Sequence, residues 1–88
     1  MSLAWRYSDQ ALADLKELDQ VMRVRITNKV SMYCQAPNPF VFAKSLEGAL
    51  KGLYRFRVGD YRVIFEKDIT GKFMMLLILR VKNRNEAY

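Results

Sequence analysis

The chain contains no histidine, and only one cysteine, Cys34, among its 88 residues. Without imidazole there is no Ser-His-Asp triad, no histidine metal site and no imidazole general base. With one thiol there is no internal disulfide, which fits a reducing compartment. A cysteine without a histidine partner reads as a buried structural residue rather than a nucleophile. Paired carboxylates, a Gly-rich phosphate loop with its lysine, and Cys/His metal spacings are also missing. The longest apolar run, 73–79, is too short to span a bilayer. The opening MSLAWRYSDQ lacks the apolar stretch of a signal peptide. These absences lead us to expect a cytoplasmic protein with no metal, no cofactor and no membrane partner.

Acids are the next scarcity. Fifteen Lys/Arg face nine Asp/Glu, for a net charge of +6 and a pI near 9.7. The excess is unevenly placed. Residues 1–50 carry six cations and five acids, while residues 51–88 carry nine and four. A basic half is the footprint of a nucleic-acid binder or of a partner for an acidic protein. A soluble basic protein with no polyanion partner is the other reading of the same numbers. At this length, residues 1–88 form a single domain, small enough to gain stability from a partner that covers apolar surface.

Local patterns predict an α+β domain of order β-α-α-β-β-β, a two-helix hairpin packed on one face of a small curved, largely antiparallel sheet. Leu3, Trp5 and Tyr7 alternate as a short strand would. Ser8 is placed as a helix N-cap, and Asp19 as a second cap or a bend, giving helices near 8–18 and 20–34. The prolines at 37 and 39 end the second helix. Residues 40–52 read as a connector anchored by Phe40, Phe42, Leu46 and Leu50. Strands are expected at 53–58, 61–67 and 73–81, with turns at Gly59-Asp60 and at residues 69–72. Gly59-Asp60 reverses the Asp-Gly order that a type I′ turn favours. The last strand is apolar on both faces, as a strand buried on both sides would be.

The segment LYRFRVGDYRVIF carries the strongest functional signal. Side chains alternate faces along a strand. Tyr54, Phe56, Val58, Tyr61, Val63 and Phe65 therefore share one face, toward the helices. Arg55, Arg57 and Arg62 fall on the other, where Glu66 is the only acid in the hairpin. Arg80 and Lys82 share a parity in the last strand, with Arg84 two residues on. Cations gathered without matching acids repel one another unless a multivalent anion shares the site, and the guanidinium fork suits phosphate oxygens. Spacing alone leaves two readings, a solvated basic face and a polyanion site. An enzyme built from these residues would position an RNA backbone and stabilise charge on a pentacovalent phosphate, with the 2′-OH of the RNA as nucleophile. Arginine stays charged, so Lys82 or Tyr88 is the better candidate for proton transfer.

LKGLYRFRVGDYRVIFEKD, the apolar strand after it and the closing VKNRNEAY resemble the RelE/ParE superfamily of type II toxins, and the resemblance spans nearly the whole chain. It implies two helices on an antiparallel sheet and a cognate antitoxin that wraps the toxin and blocks its site, which would allow a toxin–antitoxin heterotetramer. For the RelE branch, the closer of the two, it implies a ribosome-dependent mRNA endonuclease that cleaves in the A site by metal-free 2′-OH attack. For the ParE branch it implies inhibition of DNA gyrase. A catalytically weak homologue that keeps only antitoxin and RNA binding is a third reading. Carried over by position, the site is Arg55, Arg57, Arg62, Lys82 and Tyr88, with Arg80 and Arg84 as further RNA contacts. Arg55 and Arg57 stand where the best-studied RelE members have lysines. Asn83 stands where many relatives have histidine. These departures keep phosphate binding and remove side chains that exchange protons.

Overall fold

A computed structural model describes residues 4–69 and 74–85. The chain folds as β1 (Ala4–Tyr7), α1 (Asp9–Lys16), α2 (Gln20–Gln35), β2 (Ala43–Ser45), β3 (Tyr54–Val58), β4 (Tyr61–Asp68) and β5 (Met75–Asn83). The strands form one sheet of order β1-β5-β4-β3-β2. β1 runs parallel to β5, and the other pairings are antiparallel. The α+β architecture agrees with expectation, with one addition. The connector contributes β2, which pairs along the outer edge of β3. Three residues are too few for a periodic signal, and β2 exists because the pairing groups of Tyr54, Arg55 and Phe56 are there to receive it. Of the expected 69–72 turn, residues 70–72 lie outside the described residues.

Both helices start where their side chains can cap them. Ser8 Oγ accepts the Ala11 N–H at 3.1 Å and donates to the Leu79 carbonyl at 3.0 Å, so one hydroxyl caps α1 and ties it to β5. Asp19 Oδ1 accepts the Met22 N–H at 2.8 Å at the start of α2. Each such cap is worth about 1 kcal/mol. Arg23 then closes the end of α1, donating from Nε to the Leu15 carbonyl at 3.1 Å and from Nη2 to that of Leu18 at 2.8 Å. Carbonyls that a helix terminus leaves unsatisfied thus find a donor on the next helix.

The core lies between the helices and one sheet face. Ala11, Leu15, Ile26, Val30 and Cys34 meet Phe56, Val58, Val63, Phe65, Leu76, Ile78 and Val81, all buried. Phe56 and Phe65 stack with centroids 4.3 Å apart. Burial pushes the Cys34 thiol pKa up to about 11, so Cys34 stays a neutral core residue. β5 departs from the two-sided burial expected of it. Leu76, Ile78 and Val81 are buried on the helix side, while Met75, Leu77 and Leu79 are half-buried. No helix is long and apolar enough to cross a membrane among the described residues.

Candidate nucleic-acid interface

The register of the sheet turns a parity argument into a map. Arg57 pairs with Arg62, and Arg62 pairs with Lys82, so three cations stand directly opposite one another across β3, β4 and β5. The next row on the same face is Lys44, Arg55, Ile64 and Arg80, across β2 to β5. Like charges directly opposite destabilise a sheet. The open-face acids Glu66 and Asp68 pair with Leu77 and Met75, toward the other end of β4. The face is therefore polarised along its strands, with cations gathered toward the Gly59-Asp60 turn.

A register shift at Ile64/Phe65 makes this arrangement possible. Strict alternation along β5 would put Ile78 and Arg80 on one face. The extra residue at Leu79 separates them, so Ile78 opposes Phe65 in the core and Arg80 opposes Ile64 on the open side. Ile64 is only 2 % exposed although it lies outside the main core. Its row neighbours across the strands are Arg55 and Arg80.

The turn beside the cation row explains the Gly-Asp order. Gly59 has φ +59°, whereas no non-glycine among the described residues has positive φ. Positive φ at the first central position alone is the pattern of a type II′ turn, which calls for glycine there. An added Cβ at Gly59 would meet the Arg25 guanidinium of α2 at 3.7 Å, so that side chain lies over the turn. Past β5, the Arg84 N–H donates to the Asp60 carbonyl at 2.7 Å. The Arg84 guanidinium stands 3.7 Å from the Asp60 carboxylate, and both groups are exposed, so this ion pair contributes little.

The proposed residues separate accordingly. Arg55, Arg57, Arg62 and Lys82 share the open face, and Arg84 sits at the turn beside them. Tyr88 lies outside the described residues. Arg80 is in the second row by register, but its guanidinium forks onto Asp14 of α1, with Nε–Oδ2 at 2.9 Å and Nη2–Oδ1 at 3.1 Å. Asp14 Oδ2 also accepts the Val81 N–H at 2.8 Å. Burial pushes the Asp14 carboxyl up, but hydrogen bonds from Arg80, Val81 and Gln10, with the Arg80 charge, more than offset it and hold its pKa below the usual carboxylate value. Sequence reasoning missed Lys44, which only the β2–β3 pairing brings beside Arg55, and the Asp14–Arg80 pair, which joins residues 66 apart. A cleft of about 140 Å³ lined by Asp14, Glu17, Leu18, Tyr61 and Val81 lies between α1 and the helix side of the sheet, away from the cation row. Among the described residues no three acidic, thiol or imidazole side chains gather as a metal site.

A helical hairpin over one face of a five-stranded sheet defines a small α+β class, and known proteins share that fold. The chain is similar to the toxin in the RelE–RelB complex of Pyrococcus horikoshii OT3, at 30 % identity and TM-score 0.71, covering 99 % of this chain and 100 % of that one. Its fold also matches a chain of the RelBE2 toxin–antitoxin complex of Mycobacterium tuberculosis (24 % identity, TM-score 0.77, 96 % and 100 % coverage). The YoeB/ParE toxin of Agrobacterium tumefaciens shares it too (17 % identity, TM-score 0.65, 94 % and 98 % coverage). A search of curated proteins found no match. The model of the ParE toxin of type II toxin-antitoxin systems, parDE, matches residues 5–88, and the chain belongs to this family, within the RelE/ParE superfamily of toxins.

Proposed function

We propose that this toxin cuts mRNA on the ribosome, with the 2′-oxygen of the substrate as nucleophile. The observation that carries the reading is the row Arg57–Arg62–Lys82, in which three cations oppose one another across adjacent strands. Cationic groups gathered on one stretch of the sheet suit the oxygens of a phosphodiester. In the reaction the 2′-oxygen attacks the adjacent phosphorus, the bond to the 5′-oxygen breaks, and a cyclic phosphate and a 5′-hydroxyl result. The row would hold the phosphate and oppose the charge that grows on its oxygens. Lys82 is the member able to hand a proton to the departing oxygen, since the arginines remain charged. Primer extension on a defined mRNA in a reconstituted translation system tests this. New 3′ ends within ribosome-bound codons are expected with the wild type and not with Arg62→Ala. Intact message at excess toxin would overturn it.

The ParE family match and the absent histidine support a second reading, inhibition of DNA gyrase, which needs no proton-transferring group on the toxin. Supercoiling by purified gyrase distinguishes the two, because an mRNA endonuclease leaves it unchanged.

The partner in either case is an antitoxin. The outer face of α2 supports this. Val21, Val24 and Met32 are 80 %, 47 % and 51 % exposed, on a helix with three cations and no acid. A solvated helix face is normally polar. This one fits a partner segment that is apolar and acidic, and its association should slow as salt is raised.

A further inference from the structure

Asp14 lies on α1, outside every residue set assigned to the toxin's site. We propose that it is a positioning residue for the cation row: it fixes the part of β5 that carries Lys82 and withdraws Arg80 from the RNA-binding face. This inference rests on the reading of that face as an RNA site.

The argument begins with where β5 loses its neighbour. β1 pairs with β5 only from Met75 to Ile78. Ser8 extends the contact by one residue, its N–H donating to the Ile78 carbonyl at 2.8 Å and its hydroxyl to that of Leu79 at 3.0 Å. The register shift follows at once, so the β4–β5 ladder is interrupted at the same place. Beyond it, α1 takes the position that β1 has left. Asp14 Oδ2 accepts the Val81 N–H at 2.8 Å, a main-chain bond of the kind a neighbouring strand would make. Lys82 is the next residue, and its place opposite Arg62 depends on how the backbone at Val81 is held.

The second half concerns Arg80. By register it would add a cation to the row of Lys44 and Arg55. Its bidentate pair with Asp14 neutralises it and turns its planar fork toward α1. One carboxylate thus separates two cations two residues apart, leaving Lys82 with the row of Arg57 and Arg62 and assigning Arg80 to structure. An RNA held by that row meets a defined line of charge rather than a diffuse basic surface.

A merely structural role and a positioning role differ in measurable ways. In Asp14→Asn the amide oxygen can still accept from Val81, but the charge that holds Arg80 is gone. A 12-nucleotide oligouridine, followed by fluorescence anisotropy, is expected to bind the variant as tightly as wild type or two- to fivefold tighter. The slope of log K against log salt should grow by about 0.7, one added phosphate contact on a single strand. Ribosome-dependent cleavage per bound toxin should fall at least tenfold. Binding thus holds or rises while turnover falls, which loss of folded protein cannot produce. Adding Arg80→Gln to Asp14→Asn should return the salt slope to wild type and recover most of the turnover, because the bond to the Val81 N–H is kept and the added cation is gone. In Asp14→Ala the Val81 amide should lose at least tenfold protection from hydrogen exchange, with protection in α2 unchanged. Unchanged salt slope, turnover and exchange would overturn the proposal, as would binding and turnover falling together with the folded fraction. If the wild type cleaves no message, the enzymatic reading fails, and the salt-slope and exchange measurements still decide the role of Asp14.

Discussion

The two faces of the β3–β4 hairpin are built from alternate residues of one short segment, 54–68, and obey opposite rules. On the helix side, Phe56, Val63 and Phe65 are fully buried, and aromatic rings pack in contact from Tyr33 through Phe56 to Phe65. On the open side, Arg57 faces Arg62 and Arg62 faces Lys82, so cations meet across the strands where apolar groups meet behind them. A domain of this size has little stability to lose. The packing directly behind the row is what holds these cations in place. Stability and binding have been divided between alternate residues of one strand.

Substitutions can break this division, and the largest effect should come from the packed side. Phe56→Ala removes a ring with no exposed surface and should cost about 3–5 kcal/mol, read as a lower midpoint in urea unfolding. Arg62→Ala should reverse the balance: about a 100-fold loss of ribosome-dependent cleavage, about 2.7 kcal/mol in the transition state, with stability changing by about 1 kcal/mol or less. If the two variants lose folding and cleavage in equal measure, the faces are not separable.

Asp14 joins the two sides, and its effect should be intermediate. Its side chain is 12 % exposed and that of its partner Arg80 36 %, so Asp14→Ala should cost about 2 kcal/mol, nearer the lower end for a charge-assisted network. Its folded pKa lies below the unfolded value of 3.8. The stabilisation is therefore complete above the unfolded value and is lost as pH falls through the folded one. Thermal melts between pH 6 and 2 should show a shallower acid slope in the variant.

Smaller effects should run the other way. Arg57 is exposed and directly opposite Arg62, so Arg57→Thr should stabilise the protein by about 0.5 kcal/mol, more at low salt. On the helix side, the Tyr7 hydroxyl is buried with no hydrogen-bond partner among the described residues, and burial raises its pKa to about 12, with the nearby Cys34 adding to the shift. Tyr7→Phe should be neutral or stabilising by up to about 1 kcal/mol, because it deletes an unsatisfied group. A clear loss of stability would show that the hydroxyl has a role the packing does not display.

Local signals in the chain were informative where the controlling interaction was itself local. Ser8 and Asp19 cap their helices as their positions before apolar repeats suggested, and the hairpin alternates as its period-2 pattern required. The prolines end α2 close to where it was expected, at Gln35. The apolar run of β5 hid a register shift, because a bulge is set by what lies across the strand. Gly59-Asp60 looked like a misordered type I′ turn until φ at Gly59 showed the pattern that wants glycine first. β2 left no trace in a three-residue segment, and Lys44 went unnoticed with it.

The amino-acid order alone dictated that three hairpin arginines share a face and that no imidazole is available to them, since alternation and composition need no partner to act. Which cations meet across strands, which one is neutralised by a carboxylate 66 residues away, and where Lys82 stands relative to Arg62 depended on register and on a helix taking over a strand's edge. Those are contacts between distant segments, and their free energy comes into being only when the sheet closes against the helices.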